Sequence, residues 1–179
     1  IINFFQNKRI HILDIGTGSG CILLSLLKEL KFSTGIGIDI SSKAIEIAKK
    51  NAKNLNLIDR SNFKVFDLKK YCFGKYDLIV SNPPYIRTRD LKNLSQDIVK
   101  YEPRRALNGG LDGLDLIKKV IYKSSSLLKK NGLLAIEIGR HQYHEVMEVL
   151  LRNGFREIGK EYDYNRNVRC IISTKAKFF

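Results

Sequence analysis

Short apolar runs alternate along this chain with longer segments whose apolar residues recur at every third or fourth position. The longer segments predict helices, at 21–30, from a cap at Ser41 or Ser42 to about residue 55, at 114–128 and at 141–151. The short runs are rich in β-branched residues and predict strands, at 10–15, 34–40, 63–66, 76–81, 133–138, 155–161 and 168–173.

Strands that alternate with helices indicate an α/β fold with a parallel, doubly wound sheet. The last two strands are joined only by the short polar stretch Tyr162–Asn167, so they must run antiparallel. No repeat or low-complexity linker interrupts the pattern, and residues 1–179 are predicted to form one domain. The stretch 86–112 carries no predicted element and is long for an idle connection, so it is predicted to face a substrate. A solvated loop is the alternative.

A rigid corner, Asn82-Pro83-Pro84-Tyr85, directly follows the strand predicted at 76–81. Two consecutive prolines cannot donate backbone hydrogen bonds and cannot continue a central strand. Open α/β sheets bind their ligands at the carboxyl ends of strands, where this corner lies. Its side-chain amide, its proline carbonyl and its aromatic face could hold a planar –NH2 group. An ordinary turn is the alternative.

A glycine loop follows the first strand, with Gly16, Gly18 and Gly20 separated by Thr17 and Ser19. This spacing differs from the G-x-G-x-x-G of dinucleotide-binding proteins. Asp14, just before the loop, adds a negative charge that would repel a phosphate and attract an ammonium or sulfonium group. A tight strand-to-helix turn and a structural role for Asp14 are the alternatives, and the two roles of Asp14 do not exclude each other.

Two more carboxylates end the next two strands. Asp39 is placed to bind ribose hydroxyls, and Asp67 could accept a hydrogen bond from an exocyclic adenine amine, with Leu68 covering the ring. An adenosine with an amino-acid tail and no phosphate fits this set, so the sequence predicts an S-adenosylmethionine site.

The composition limits the class of protein. No apolar run could span a bilayer and no secretory signal is visible. Three cysteines without C-x-x-C pairing indicate free thiols in a reducing cytoplasm, and neither they nor the histidines have the spacing of a metal site. The chain begins with Ile1, which suggests a fragment of a longer protein.

The charge leaves a question open. With 32 basic and 18 acidic residues the net charge is +14. Such an excess favours anionic partners such as ribosomes or nucleic acid, although a codon bias toward lysine would produce it as well.

Four motifs together resemble the HemK family, the glutamine N(5)-methyltransferases that modify peptide-chain release factors: DIGTGSG, GIDIS, VSNPPYI and YEPRRALNGGLDGLD. The resemblance extends from Ile10 to Thr174 and implies a class I S-adenosylmethionine-dependent methyltransferase fold (Rossmann-like), seven-stranded with the last strand antiparallel. It further implies a release factor as protein substrate. Action near the ribosome, in keeping with the charge, and a monomeric state are expected as well. Family members have an N-terminal helical domain, which is expected to be absent here, and often an aromatic residue where this chain has Leu68.

The resemblance implies that Gly16 to Gly20, Asp39 and Asn82 bind the methyl donor and that Asn82 to Tyr85 hold the glutamine. Together with the residue pattern described above, this gives the full set of expected site residues. The methyl donor is expected to contact Asp14, Gly16, Thr17, Gly18, Ser19, Gly20, Asp39, Ile40, Asp67, Leu68 and Asn82. The glutamine is expected to contact Asn82, Pro83, Pro84, Tyr85, Glu102 and Pro103. Of these, we expect Asn82, Pro83 and Tyr85 to be catalytic.

The residues also indicate how the corner would work. The Asn82 side-chain oxygen and the Pro83 carbonyl would accept the two N–H bonds of an amide, while Tyr85 packs on its plane. This arrangement would aim the nitrogen lone pair at the methyl group.

Three other functions remain open from sequence. Adenine offers the same planar –NH2, so N6-methylation of DNA or RNA is possible in chemical terms, although a duplex would require base flipping. A glutamine of a ribosomal protein would also fit the corner. An inactive S-adenosylmethionine-binding module is the non-enzymatic alternative.

Overall fold

A computed structural model describes residues 1–94 and 103–175. Its strands are β1 (His11–Ile15), β2 (Thr34–Asp39), β3 (Ser61–Val65), β4 (Tyr76–Ser81), β5 (Leu128–Glu137), β6 (Phe155–Tyr162) and β7 (Val168–Lys175). Its α-helices are α1 (Ile2–Phe5), α2 (Cys21–Glu29), α3 (Ser42–Asn54), α4 (Arg104–Leu107), α5 (Asp115–Leu127) and α6 (Tyr143–Arg152). Two 3-10 turns lie at Leu68–Lys70 and Thr88–Asn93.

The strands form one seven-stranded sheet in the order β3-β2-β1-β4-β5-β7-β6. The pairs among β1 to β5 are parallel, whereas β7 runs antiparallel to both β5 and β6. The α/β class and the antiparallel last strand predicted from the sequence are therefore confirmed. The chain moves outward from β1 to β3 and then returns to β4 beside β1. This reversal opens a crevice at the carboxyl ends of β1 and β4, where such sheets bind ligands.

Apolar side chains fill both faces of the sheet. On one face, α2 and α3 contribute buried residues that include Leu23, Leu27 and Ile45. On the other face, α5 and α6 contribute Ile117, Ile121 and other buried residues. The predicted cap of α3 is Ser41, whose hydroxyl accepts a hydrogen bond from Ala44 N at 3.3 Å.

Several local predictions differ from the structure. The strand predicted at 63–66 spans Ser61–Val65, so Phe66 follows β3. The sequence predicts no regular element in 86–112, yet the described part of this stretch contains the 3-10 turn Thr88–Asn93 and α4. The strand predicted at 133–138 begins already at Leu128, which is buried and pairs with Tyr76. The sequence signal is misleading because Asn131-Gly132 resembles a helix stop, whereas Asn131 here adopts φ 63° at an irregularity inside β5.

Candidate functional site

A cavity of about 390 Å³ lies at the carboxyl ends of β1, β2 and β4. The walls come from the glycine loop, from the ends of these strands, from the segment after β3 and from α4 and α5. The lining residues are Ile15, Gly16, Gly18, Ile38, Asp39, Ile40, Ser41, Ala44, Phe66, Asp67, Leu68, Lys69, Asn82, Pro84, Pro103, Arg105, Ala106, Leu116 and Lys119.

The glycine loop is fixed to β2 by backbone hydrogen bonds. Gly16 N and Thr17 N donate to the Ile38 carbonyl at 2.9 and 3.0 Å. The φ angles of Gly16, Gly18 and Gly20 are 70°, 55° and 80°, and residues other than glycine rarely adopt such positive values. Gly16 and Gly18 line the cavity, so their backbone is open to a ligand.

Asp39 orders the loop and also lines the cavity. Its Oδ2 accepts a hydrogen bond from Gly18 N at 3.0 Å, and its Oδ1 accepts one from Ser41 N at 2.8 Å. Each ionised carboxylate oxygen can accept more than one hydrogen bond. Asp39 therefore retains acceptor capacity for a diol while its direction is fixed by two amides.

Asp14 lies beneath the loop and does not line the cavity. Its side chain is buried, and Thr17 Oγ1 donates to its Oδ2 at 2.7 Å. Its Oδ1 has no hydrogen-bond partner among the described residues. Burial raises the Asp14 pKa to about 6, against the opposing effect of the Thr17 hydrogen bond. The placement of the Asp14 carboxyl group thus fits the structural role that the sequence left open. Thr17, which donates to it and does not line the cavity, fits the same role.

We expect Asp14→Asn to change how stability depends on pH. The carboxyl pKa rises from 3.8 to about 6 on folding, so its contribution to stability is complete below pH 3.8 and is lost as pH rises to about 6. The loss amounts to about 3 kcal/mol for two pKa units. Urea unfolding at pH 4 and pH 7 should show Asp14→Asn gaining about this much relative to wild type at the higher pH. The fixed cost of the Asn amide cancels in this comparison, and a pH-independent difference would contradict the assignment.

An aromatic residue that the sequence reasoning missed also faces the cavity. Phe66 lines it beside Asp67 and Leu68. Its ring packs edge-on against Tyr71 and Phe73 at centroid distances of 5.3 and 5.9 Å. Phe66, the residue before Asp67, thus supplies the aromatic ring that Leu68 lacks, and two aromatic neighbours hold this ring in place.

The two sequence-predicted residues beside Phe66 have different environments. Asp67 is exposed, and its Oδ1 accepts a hydrogen bond from Lys69 N at 2.9 Å, which caps the following 3-10 turn. Leu68 is buried, and it contacts both the cavity and the core. Ile40 lines the cavity with an exposed side chain. Ser19 and Gly20 do not line it.

The Asn-Pro-Pro-Tyr corner contributes two residues to the cavity wall. Asn82 is exposed and Pro84 is half-buried, and both line the cavity. Pro83 is buried and Tyr85 packs against the core, and neither residue lines the cavity. The Ser81 hydroxyl donates to the Ile15 carbonyl at 2.8 Å and fixes the start of the corner to the end of β1.

Residues from the second half of the chain close the cavity. Pro103, predicted as a substrate contact, lines it, whereas Glu102 lies outside the described residues. Arg105, Leu116 and Lys119 also line it and were missed, because no local sequence signal relates α4 and α5 to the glycine loop.

Residues 1–94 and 103–175 contain neither a membrane-spanning helix nor a cluster of metal-ligating side chains. Within these ranges, no helix has the length and apolar character needed to cross a membrane. In the same ranges, no group of three or more metal-ligating side chains could hold an ion.

Comparisons with known proteins agree with this architecture. The profile of a methyltransferase-domain family matches residues 6–178. Release factor glutamine methyltransferases of Rhodospirillum rubrum and Fusobacterium nucleatum are 40% and 42% identical to the chain over 165 and 172 residues. These alignments cover 92% and 93% of this chain but 51% and 47% of those proteins. The chain therefore spans about half the length of these curated relatives.

Solved structures share the fold at lower identity. A ribosomal protein L11 methylase from Lactobacillus delbrueckii subsp. bulgaricus matches with a TM-score of 0.71 and 22% identity, over 98% of this chain and 75% of that one. A methyltransferase from Pyrococcus furiosus matches with a TM-score of 0.72 and 15% identity, over 98% of this chain and 80% of that one. The predicted class I methyltransferase fold and the resemblance to the HemK family are confirmed, and the chain belongs to the methyltransferase-domain family.

Proposed function

We propose that this chain is a catalytic domain that transfers a methyl group from S-adenosylmethionine to the side-chain amide nitrogen of a glutamine in a peptide-chain release factor. The observation that carries the proposal is that Asn82 lines the same cavity as Gly16, Gly18 and Asp39. A group that can hold an amide thus lies beside a backbone and a carboxylate that can hold an adenosine. The names of the relatives with about 40% identity support the release factor as acceptor.

The cavity suits S-adenosylmethionine better than a phosphate-bearing nucleotide. A pyrophosphate would need the backbone N–H groups of the glycine loop. Here the Gly18 N–H already donates to the Asp39 carboxylate, so it is not available to a phosphate. Phe66 and Leu68 offer apolar surface for a purine, and Asp67 offers an acceptor at its edge. When bound, S-adenosylmethionine supplies a methyl group already activated by its sulfonium.

The residues of the corner orient the acceptor amide. The Asn82 oxygen and the Pro83 carbonyl accept the two N–H bonds, so the nitrogen presents its lone pair in one direction only. Alignment of this kind contributes roughly 7–11 kcal/mol in favourable cases. The two oxygens also stabilise the positive charge that develops on the nitrogen. The methylated amide is acidic and releases its extra proton to water, so no strong base is required.

We expect Phe66→Leu to weaken binding of the methyl donor. An aromatic contact is worth about 0.5–1.5 kcal/mol beyond its buried area, which corresponds to about a twofold to twelvefold change in Kd. Titration calorimetry with S-adenosylhomocysteine measures the effect without turnover. Phe32→Leu is the matched control, because Phe32 is 60% exposed and does not line the cavity. Equal affinities of the two variants would refute the assigned contact.

The acceptor is tested by offering several substrates side by side. The chain is incubated with methyl-labelled S-adenosylmethionine and, in separate reactions, a release factor, that factor with the acceptor glutamine changed to alanine, ribosomal proteins, and DNA. We expect label in the intact release factor alone, and mass spectrometry should locate it on a glutamine side chain. Label in DNA or in a ribosomal protein would transfer the assignment to one of those acceptors. Donor binding without transfer to any of them would favour the inactive binding module.

We also propose that the chain acts as a monomer in the cytoplasm, close to the ribosome. The net charge of +14 supports an anionic environment. The free cysteines Cys21, Cys72 and Cys170 suit a reducing compartment. Sedimentation of the chain with and without ribosomes tests both the oligomeric state and the association, which should weaken as salt is raised.

A further inference from the structure

The Asn-Pro-Pro-Tyr corner cannot fix its own backbone in the usual way. Pro83 and Pro84 carry no N–H group, so the corner offers mainly carbonyl acceptors. A rigid position for such a segment requires donors from elsewhere in the chain. The described structure contains one buried side-chain donor that reaches it, Gln142.

Gln142 directly precedes α6 and is 5% exposed. Its Nε2 donates to the Tyr85 carbonyl at 3.1 Å and to the Gly113 carbonyl at 3.3 Å. Its Oε1 accepts a hydrogen bond from Gly139 N at 2.8 Å. One amide side chain thus joins the corner, the glycine-rich segment 108–113 and the connection between β5 and α6.

The glycine-rich segment packs backbone to backbone against the end of the corner and the residues that directly follow it. Gly109 N donates to the Ile86 carbonyl at 2.8 Å, and Thr88 N donates to the Gly110 carbonyl at 2.9 Å. A Cβ atom on Gly109 would lie 2.8 Å from the Pro84 carbonyl oxygen. The contact leaves no room for side chains, which accounts for glycine in this part of the segment.

The side chain of Tyr85 is held separately from its backbone. Arg169 Nη2 donates to the Tyr85 hydroxyl at 2.8 Å, and that hydroxyl lies 3.4 Å from Glu137 Oε1, to which it donates. Arg169 and Glu137 also form an ion pair at 3.4 Å. Tyr85 is therefore fixed at its carbonyl by Gln142 and at its hydroxyl by β5 and β7.

We propose that Gln142 is a positioning residue for methyl transfer, which holds the Tyr85 carbonyl so that Asn82 and Pro84 face the cavity. This inference rests on the proposed function of the corner. Gln142 lines neither the cavity nor any other part of the donor site. Its loss should therefore affect the alignment of the acceptor and leave donor affinity unchanged.

The test compares two amide side chains at opposite ends of the same helix. Gln142→Met removes the hydrogen bonds with little change in volume. Asn153→Leu removes the amide at the C-terminal end of α6, where Asn153 Nδ2 donates only to the Val149 carbonyl at 2.8 Å. Both variants are measured for unfolding free energy, for S-adenosylhomocysteine affinity, for methyl transfer to release factor, and for amide hydrogen exchange by mass spectrometry.

We expect Gln142→Met to accelerate exchange of the amides in residues 85–88 and 109–115 at least tenfold relative to Asn153→Leu. Turnover should fall at least tenfold relative to the same control, with affinity for S-adenosylhomocysteine within twofold. Unchanged exchange in these two segments, or turnover equal to that of Asn153→Leu, would overturn the proposal. If the wild-type chain transfers no methyl group to release factor, the proposed function fails, while the exchange result still decides whether Gln142 holds the corner.

Discussion

Asn82→Ala is expected to lower the rate of methyl transfer by a factor of at least about 100, since single preorganised groups at reacting centres contribute about 10²–10³. Asn82 is exposed at the cavity wall, so its truncation leaves no buried polar group without a partner. The remaining Pro83 carbonyl can accept only one of the two amide N–H bonds. The acceptor amide group can then turn about the Cγ–Cδ bond of the glutamine, and its nitrogen is no longer held facing the donor.

Steady-state kinetics with release factor, together with calorimetry for S-adenosylhomocysteine, separates this effect from a loss of donor binding. Asn62→Ala is a suitable control, because Asn62 is an exposed asparagine in β3 that does not line the cavity. A rate for Asn82→Ala within threefold of that of Asn62→Ala would rule out the proposed role of the amide.

Gly113→Ala is expected to cause the largest loss of stability among these variants, by several kcal/mol. Gly113 has φ 79°, where an L side chain costs roughly 1–2 kcal/mol. Its Cβ would also lie 2.5 Å from the Tyr85 carbonyl oxygen and 2.7 Å from Gln142 Nε2. Relief of this overlap must move the corner or break the Gln142 hydrogen bonds, so turnover should fall as well.

The free energy of unfolding is measured in urea for Gly113→Ala and for the control variant Gly159→Ala. Gly159 lies in β6 at an ordinary φ, and its Cβ would meet nothing closer than Ile172 Cδ1 at 3.8 Å. Alanine there should be neutral or slightly stabilising. Similar free energies of unfolding for the two variants would contradict the tight packing between the glycine-rich segment and the corner.

Much of the fold could be predicted from local pattern because each strand is a short apolar run between turn residues. The predicted strand Tyr76–Ser81 agrees with β4 at both ends. Likewise, the carboxyl ends of parallel strands meet at one edge of a sheet. Gly16, Asp39 and Asn82 each follow or end such a strand, so their positions in the sequence suffice to predict that they share one site, and all three line the cavity.

Other features depend on contacts that sequence spacing does not encode. Phe66 faces the cavity because Tyr71 and Phe73 hold its ring, which no period of the chain indicates. The anchoring of the corner joins Tyr85 to Gln142 across 57 positions and to Arg169 across 84. Such long-range hydrogen bonds follow from the sheet order and could not be predicted from either residue alone.

The central claim is that the corner holds a side-chain amide next to the methyl donor. A crystal structure of the chain with S-adenosylhomocysteine and a glutamine-containing release factor peptide measures this most directly. We predict that Asn82 Oδ1 lies within about 3.2 Å of the glutamine nitrogen, with that nitrogen facing the sulfur. A glutamine bound elsewhere, or an Asn82 side chain turned away from the sulfur, would contradict the claim.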